Sequence, residues 1–174
     1  MKKRFLLFAL GILGIILMDQ GTKDYLLYLI TGGVPMTGGA WDIVPVPYLM
    51  AHVTNFFNIV FTWNPGASFS LLRGVGEYAP MIIIVATAVI VGFLGHYLVR
   101  CACRYEQAPL AMIIGGALGN LIDRIRFGAV IDFLDFHIGG LHWPAFNVGD
   151  IFITCGVALY IINYIINRRR CMRH

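Results

Sequence analysis

Two aspartates, Asp132 and Asp150, are the residues of this chain best suited to chemistry. They lie 18 residues apart, across a connection short enough to bring both carboxylates together. Two neighbouring acids cannot both ionise cheaply, so such a pair shares a proton. One member then takes a proton from water while the other donates to a carbonyl, which is hydrolysis by an activated water and reads as an aspartic protease. Asp150 falls in the first turn of a helix that Asn147 is suited to cap, facing N–H groups with no intrahelical partner. Asp132 has no such donors nearby, and the shared proton is assigned to it.

Other polar residues compete for a role. Asp135 sits in Phe136-His137-Ile138-Gly139-Gly140 surroundings that read as an exposed loop, so it is expected to be solvated. His52, His137 and His142 are capable of binding a metal, but none has the H-E-x-x-H arrangement, and no metal is expected. Ser68 and Ser70 lack a G-x-S-x-G setting and a histidine partner for nucleophilic catalysis. Spacing of four places Met112, Gly116, Asn120 and Arg124 on one helical stripe, with Ala111, Gly115, Gly119 and Asp123 beside it. The small residues permit close approach of another helix. Asp123 is expected to anchor that helix end, and Asn120 and Arg124 to face a cavity. Asp19 and Lys23, also four apart and acid first, are given a structural role.

What holds these residues is a set of apolar runs. The chain is 59% hydrophobic and only 13% charged, against about a quarter charged in a soluble domain. Four membrane-spanning helices are expected, over about 5–30, 80–99, 109–125 and 147–166, since about 20 residues cross the hydrocarbon core. Lys2, Lys3, Arg4, Arg100, Arg104, Arg168, Arg169, Arg170 and Arg173 flank one side, whereas every acid but Glu106 falls on the other. The positive-inside rule then gives both termini inside. The segment 31–78 is rich in glycine, proline and β-formers, with Phe56, Phe57, Phe61 and Trp63 suited to a small β-sheet platform on the outer surface. The segment 126–146 is expected to be an outer loop. The fold class is thus all-α with a small β element, and 1–174 forms one integral membrane domain.

Several classes are excluded. The net charge of +4 suggests nucleic acid only until the basic residues are placed: they bracket apolar runs instead of lining one face. Cys101, Cys103, Cys155 and Cys171 form no disulfide framework and read as incidental thiols. The stretch Phe5–Met18 resembles a signal-peptide core, but no small-x-small site follows, so it is taken as a retained helix. A proton-coupled transporter needs acids spread through the membrane depth, whereas these gather at one rim. A membrane assembly factor is the other alternative, and it would tolerate loss of the aspartates.

The motifs resemble those of the bacterial lipoprotein signal peptidases, the type II signal peptidases. Asp19-Gln20-Gly21-Thr22-Lys23 matches D-Q-x-[ST]-K, and Asn64-Pro65-Gly66-Ala67-Ser68-Phe69-Ser70 matches N-x-G-A-x-F-S. Gly115 to Arg124 is similar to G-G-A-x-G-N-x-x-D-R, Val130-Ile131-Asp132-Phe133 to V-[VI]-D-F, and Phe146 to Asp150 to F-N-x-[AG]-D. Gly149 stands where alanine is commoner, and the first outer segment is longer than usual. The resemblance implies that Asp132 and Asp150 are the catalytic dyad, and that Asn64, Asn120, Arg124 and Asn147 line the substrate site. Asp19 and Lys23 would support the fold, as would Asp123, whose pairing with Asp150 in an older assignment ranks second. It further implies cleavage of prolipoproteins before a diacylglyceryl-modified cysteine. The site would face the periplasm from a multi-pass protein of the bacterial inner membrane. A monomer without a cofactor, in contact with membrane lipid and not with nucleic acid, is expected.

Overall fold

The computed structural model describes residues 2–33, 48–66, 78–101 and 103–171. Its elements run α1 (Lys2–Thr31), β1 (Tyr48–Thr54), β2 (Phe57–Asn64), α2 (Ala79–Arg100), α3 (Arg104–Phe127), β3 (Val130–Ile138), β4 (Leu141–His142) and α4 (Val148–Cys171). Among the described residues, four helices are long and apolar enough to cross a membrane: Leu6–Thr31, Pro80–Arg100, Tyr105–Phe127 and Val148–Ile166. Leu10, Leu17, Val89, Phe93, Ile161 and Ile165 point outward from them, as expected of side chains solvated by lipid. Ser68 and Ser70 lie outside the described residues.

The chain divides into two compact units. The first comprises Met1–Gln20, Ala86–Gly119 and Val148–His174 and is helical. Leu98, Leu110 and Ile114 form its apolar core, flanked by Phe8, Ile12, Val91, Leu94, Leu118 and Tyr160. Its helices approach closely because α3 presents glycine on two adjacent stripes. A Cβ on Gly115 would stand 2.9 Å from Ile15 of α1, and one on Gly116 would stand 2.3 Å from the Gly149 carbonyl oxygen of α4.

The helix α3 begins about one turn earlier than expected, which leaves Pro109 inside it. Proline has no N–H to give the carbonyl four residues back. That carbonyl, of Tyr105, instead accepts a hydrogen bond from Asn163 Nδ2 at 2.7 Å, so the early start leaves no acceptor stranded. At the same end, buried Glu106 accepts from the Tyr97 hydroxyl at 2.8 Å and from the Cys101 thiol. Burial, followed by the Glu106 hydrogen bond, pushes the Cys101 thiol above its usual range. Cys101 and Cys155 are free, but Cys103 is disulfide-bonded, which corrects the reading of four incidental thiols.

The second unit comprises Gly21–Val85 and Asn120–Asn147. It carries the expected sheet, four-stranded and antiparallel in the order β1-β2-β3-β4. Half of that sheet comes from 126–146, which is therefore not the loop expected. The β-branched and aromatic run Val130–Ile138 pairs with β2, some 70 residues away in sequence, and Gly139 and Gly140 turn it back into β4 with φ of 57° and 84°. Of the four aromatics expected in that sheet, Phe56 is exposed and Phe57 half-buried. Phe61 and Trp63 are buried edge to face at 5.0 Å, and Trp63 meets Phe127 at 5.6 Å.

The ladder between β2 and β3 contains an irregularity between Ile59 and Thr62. Three steps along β2 there match two along β3, so the side-chain alternation of β2 changes phase. Asn58 consequently shares a face with its partner Asp135, while Thr62 and Asn64 share the opposite face with Asp132.

Candidate active site

Asp132 lies near the start of β3, 1% exposed, with both carboxylate oxygens occupied. Asn64 Nδ2 donates to Oδ2 at 2.8 Å and Asn147 Nδ2 donates to Oδ1 at 2.7 Å. Local structure fixes which way Asn64 points. Its own Oδ1 accepts the Gly66 N–H at 2.8 Å, leaving only the amide nitrogen to face the carboxylate. Gly66 is required there: its φ is 113°, and a Cβ would meet Ile83 at 2.9 Å.

The network continues inward. The Asn147 amide nitrogen also lies 3.0 Å from Asn120 Oδ1 and 3.3 Å from the Ile131 carbonyl oxygen. Asn120 Oδ1 accepts a second bond, from Lys23 Nζ at 3.0 Å. Lys23 forms a salt bridge with Asp123 at 2.8 Å, and Asp123 accepts the Ile131 N–H at 3.2 Å. Lys23 and Asp123 are both essentially inaccessible, 1% and 0% exposed. A bridge so buried is costly to break from one side, by about 3–5 kcal/mol. By contrast, Arg126 and Asp24 at 2.9 Å are each about half exposed, in the class worth about 0–1 kcal/mol. The buried pair therefore fixes this end of α1 against α3. The Arg124 guanidinium donates to the Asn120 carbonyl oxygen at 3.3 Å.

In the first unit, Asp150 stands half-buried in the first turn of α4. The residue before it, Gly149, gives its N–H to Asp19 Oδ1 at 2.7 Å, so an acid of α1 satisfies one orphan donor of the α4 start. Gln20 binds the Gly119 carbonyl oxygen at 3.1 Å, and a Cβ on Gly119 would stand 2.3 Å from Asp19. The D-Q pair of α1 thus meets α3 and α4 through backbone contacts.

A buried acid between two asparagines, behind a lysine bridge, occurs here on motifs whose relatives are known. The model of the Signal peptidase (SPase) II family matches residues 11–166.

The chain belongs to the signal peptidase II family.

A lipoprotein signal peptidase of Syntrophus aciditrophicus is 37% identical over 168 residues, covering 95% of this chain and 96% of that one. One from Anaplasma phagocytophilum is 44% identical over 109 residues, covering 63% and 69%. A solved bacterial membrane enzyme superposes with a TM-score of 0.71 at 27% identity, covering 92% of this chain and 93% of that one. As a signal peptidase II, the chain is a multi-pass membrane protease whose substrates are prolipoproteins.

Within this signal peptidase, Asn64, Asn120, Asn147, Asp132, Lys23 and Asp123 form one hydrogen-bonded network. Sequence reasoning missed two parts of it. Gly66 was read only as part of a motif, although an Asn-x-Gly turn carries the signal that orients the asparagine. The Ile131 backbone, which serves both Asp123 and Asn147, has no side-chain signature at all.

Proposed function

We propose that the chain is an aspartic endopeptidase, with Asp132 and Asp150 as its catalytic acids, which cleaves prolipoproteins before their diacylglyceryl-modified cysteine. The observation that carries the reading is the burial of Asp132 between two amide donors. A carboxylate is not kept dry without a purpose that offsets its desolvation. Both of its oxygens accept N–H bonds, which stabilise the carboxylate over the acid. That favours Asp132 as the base and reverses the assignment of the shared proton drawn from sequence alone. Asp132 takes a proton from water, the oxygen attacks the scissile carbonyl, and Asp150 supplies a proton to the carbonyl oxygen. The proton held by Asp132 then passes to the leaving amine as the peptide bond breaks, while one hydroxyl of the tetrahedral diol returns its proton to Asp150 and becomes the carbonyl of the new acid.

Asn64 and Asn147 hold the base, Asn120 and Arg124 bind the peptide backbone, and the Lys23–Asp123 bridge with Asp19 forms the support. The alternative pairing of Asp123 with Asp150 is disfavoured, because Asp123 is already neutralised by Lys23 and holds the Ile131 N–H. Both termini lie in the cytoplasm and the site faces the periplasm of the inner membrane. The acyl chains of the substrate then remain in the bilayer while its peptide enters from outside, and a monomer suffices.

The test is incubation of purified protein with a diacylglyceryl prolipoprotein. Signal-peptide release is expected from the wild type and not from Asp132→Asn or Asp150→Asn, each still folded. Comparable release by either variant would remove that residue from the mechanism.

A further inference from the structure

The face of the sheet opposite Asp132 carries a second polar cluster that peptide hydrolysis does not use. Asp135 and His137 are two residues apart on β3 and so project to the same side. The glycine turn pairs His137 directly with His142 of β4, bringing a third group to that side. Asp135, expected to be solvated, is in fact buried. His142 Nδ1 lies 2.8 Å from its Oδ1, and His137 Nδ1 lies 3.9 Å from its Oδ2. The two imidazoles stack at 4.9 Å with 17° between their planes.

Support comes from the neighbouring strands. Asn58 of β2 donates from Nδ2 to Asp135 at 3.0 Å, and His52 of β1 donates from Nδ1 to Asn58 Oδ1 at 2.7 Å. The result is a buried carboxyl group with two imidazoles at its oxygens, oriented by an outer ring of hydrogen bonds, which is how metal ligands are commonly held.

We infer that Asp135, His137 and His142 bind a divalent transition-metal ion, with zinc the best match to two imidazoles and one carboxylate. One donor atom from each residue already lies within 4.8 Å of the others. Ligands at about 2.0–2.1 Å from tetrahedral zinc stand about 3.3 Å apart, so no separation between donors needs to change by more than about 1.5 Å, the 2.8 Å contact of His142 with Asp135 opening and the wider ones closing. The hairpin tip can provide that movement, since His142 is 52% exposed and ends the two-residue strand β4. Water completes the fourth position. Calcium and magnesium are poorly suited, because they prefer a shell of oxygens. The ion would pin the β3–β4 hairpin, and on the opposite face from Asp132 it takes no part in hydrolysis. This inference stands independently of the aspartic assignment.

Zinc chloride titrated calorimetrically into untagged, chelator-stripped protein in detergent tests it. Saturable one-to-one binding at micromolar affinity or tighter is expected, weakened at least about tenfold in His137→Ala and in His142→Ala. Cobalt(II) should give visible absorption bands that zinc abolishes. Prolipoprotein cleavage by metal-free His142→Ala, expected to match the wild type, shows that the variant is folded. Absence of saturable binding, or an affinity unchanged by both substitutions, would overturn the site.

Discussion

Asn64 faces Asp132 with its amide nitrogen, at 2.8 Å, because the Gly66 N–H has already claimed its oxygen. A hydrogen bond to a charged acceptor contributes about 1.5–3 kcal/mol. Asn64→Ala is therefore expected to lower kcat/KM for a prolipoprotein about 10- to 100-fold while the protein stays folded. Gly66→Ala should act in the same direction, since it loses the positive φ that makes the turn. Steady-state kinetics on the two variants checks both.

Replacing the proposed acids tests the chemistry more severely. Loss of a general acid or base typically costs about 10²–10⁴-fold. Asp132→Asn and Asp150→Asn should each fall at least that far, measured by signal-peptide release, with thermal unfolding in detergent reporting the fold.

The buried bridge predicts a non-additive pair. Lys23→Met leaves the Asp123 charge buried and should destabilise by about 3–5 kcal/mol. The double variant Lys23→Met with Asp123→Leu should recover much of that loss. A double-mutant cycle on thermal unfolding measures the coupling.

Close helix approach makes two glycines sensitive. A Cβ at position 116 would run into backbone, and one at position 119 into the Asp19 carboxylate, each at 2.3 Å. Gly116→Ala is expected to cost about 1–3 kcal/mol. Gly119→Ala should cost less, because a side chain yields more readily than a carbonyl. Ranking the two by unfolding temperature decides it.

Asp135 gives a pH dependence. Its carboxyl is held below the ordinary range in the folded protein, so its stabilising effect is complete above the ordinary value and is lost as pH falls through the folded one. In metal-free protein, Asp135→Asn should flatten the loss of stability below roughly pH 4. Acid unfolding curves compare the two.

The membrane helices were legible because apolar runs need no partner to be recognised. The Lys23–Asp123 bridge was not: a spacing of four pointed Lys23 along its own helix, whereas the contact at 2.8 Å depends on packing between residues 100 apart. Strand β3 was read as a loop for a similar reason, since Val130–Ile138 gains its ladder only from β2. Asp135 was then misplaced along with it. Pro109 misled in the opposite sense, because the acceptor it strands is satisfied from α4 by Asn163. Patterns local in sequence were readable, and those closed by a distant strand or helix were not.

The phase change between Ile59 and Thr62 has a consequence for how this protein tolerates insertions and deletions. Removing one residue there would let β2 match β3 step for step, with Asn58 still opposite Asp135 and Asn64 still opposite Val130 on the Asp132 side. Adding one would set four steps against two, and the ladder would have to slip, drawing Asn64 away from Asp132 if Asn58 kept its place. The length of β2 is thus limited in one direction, and a mutational scan should find that short stretch to accept the loss of one residue far better than the gain of one.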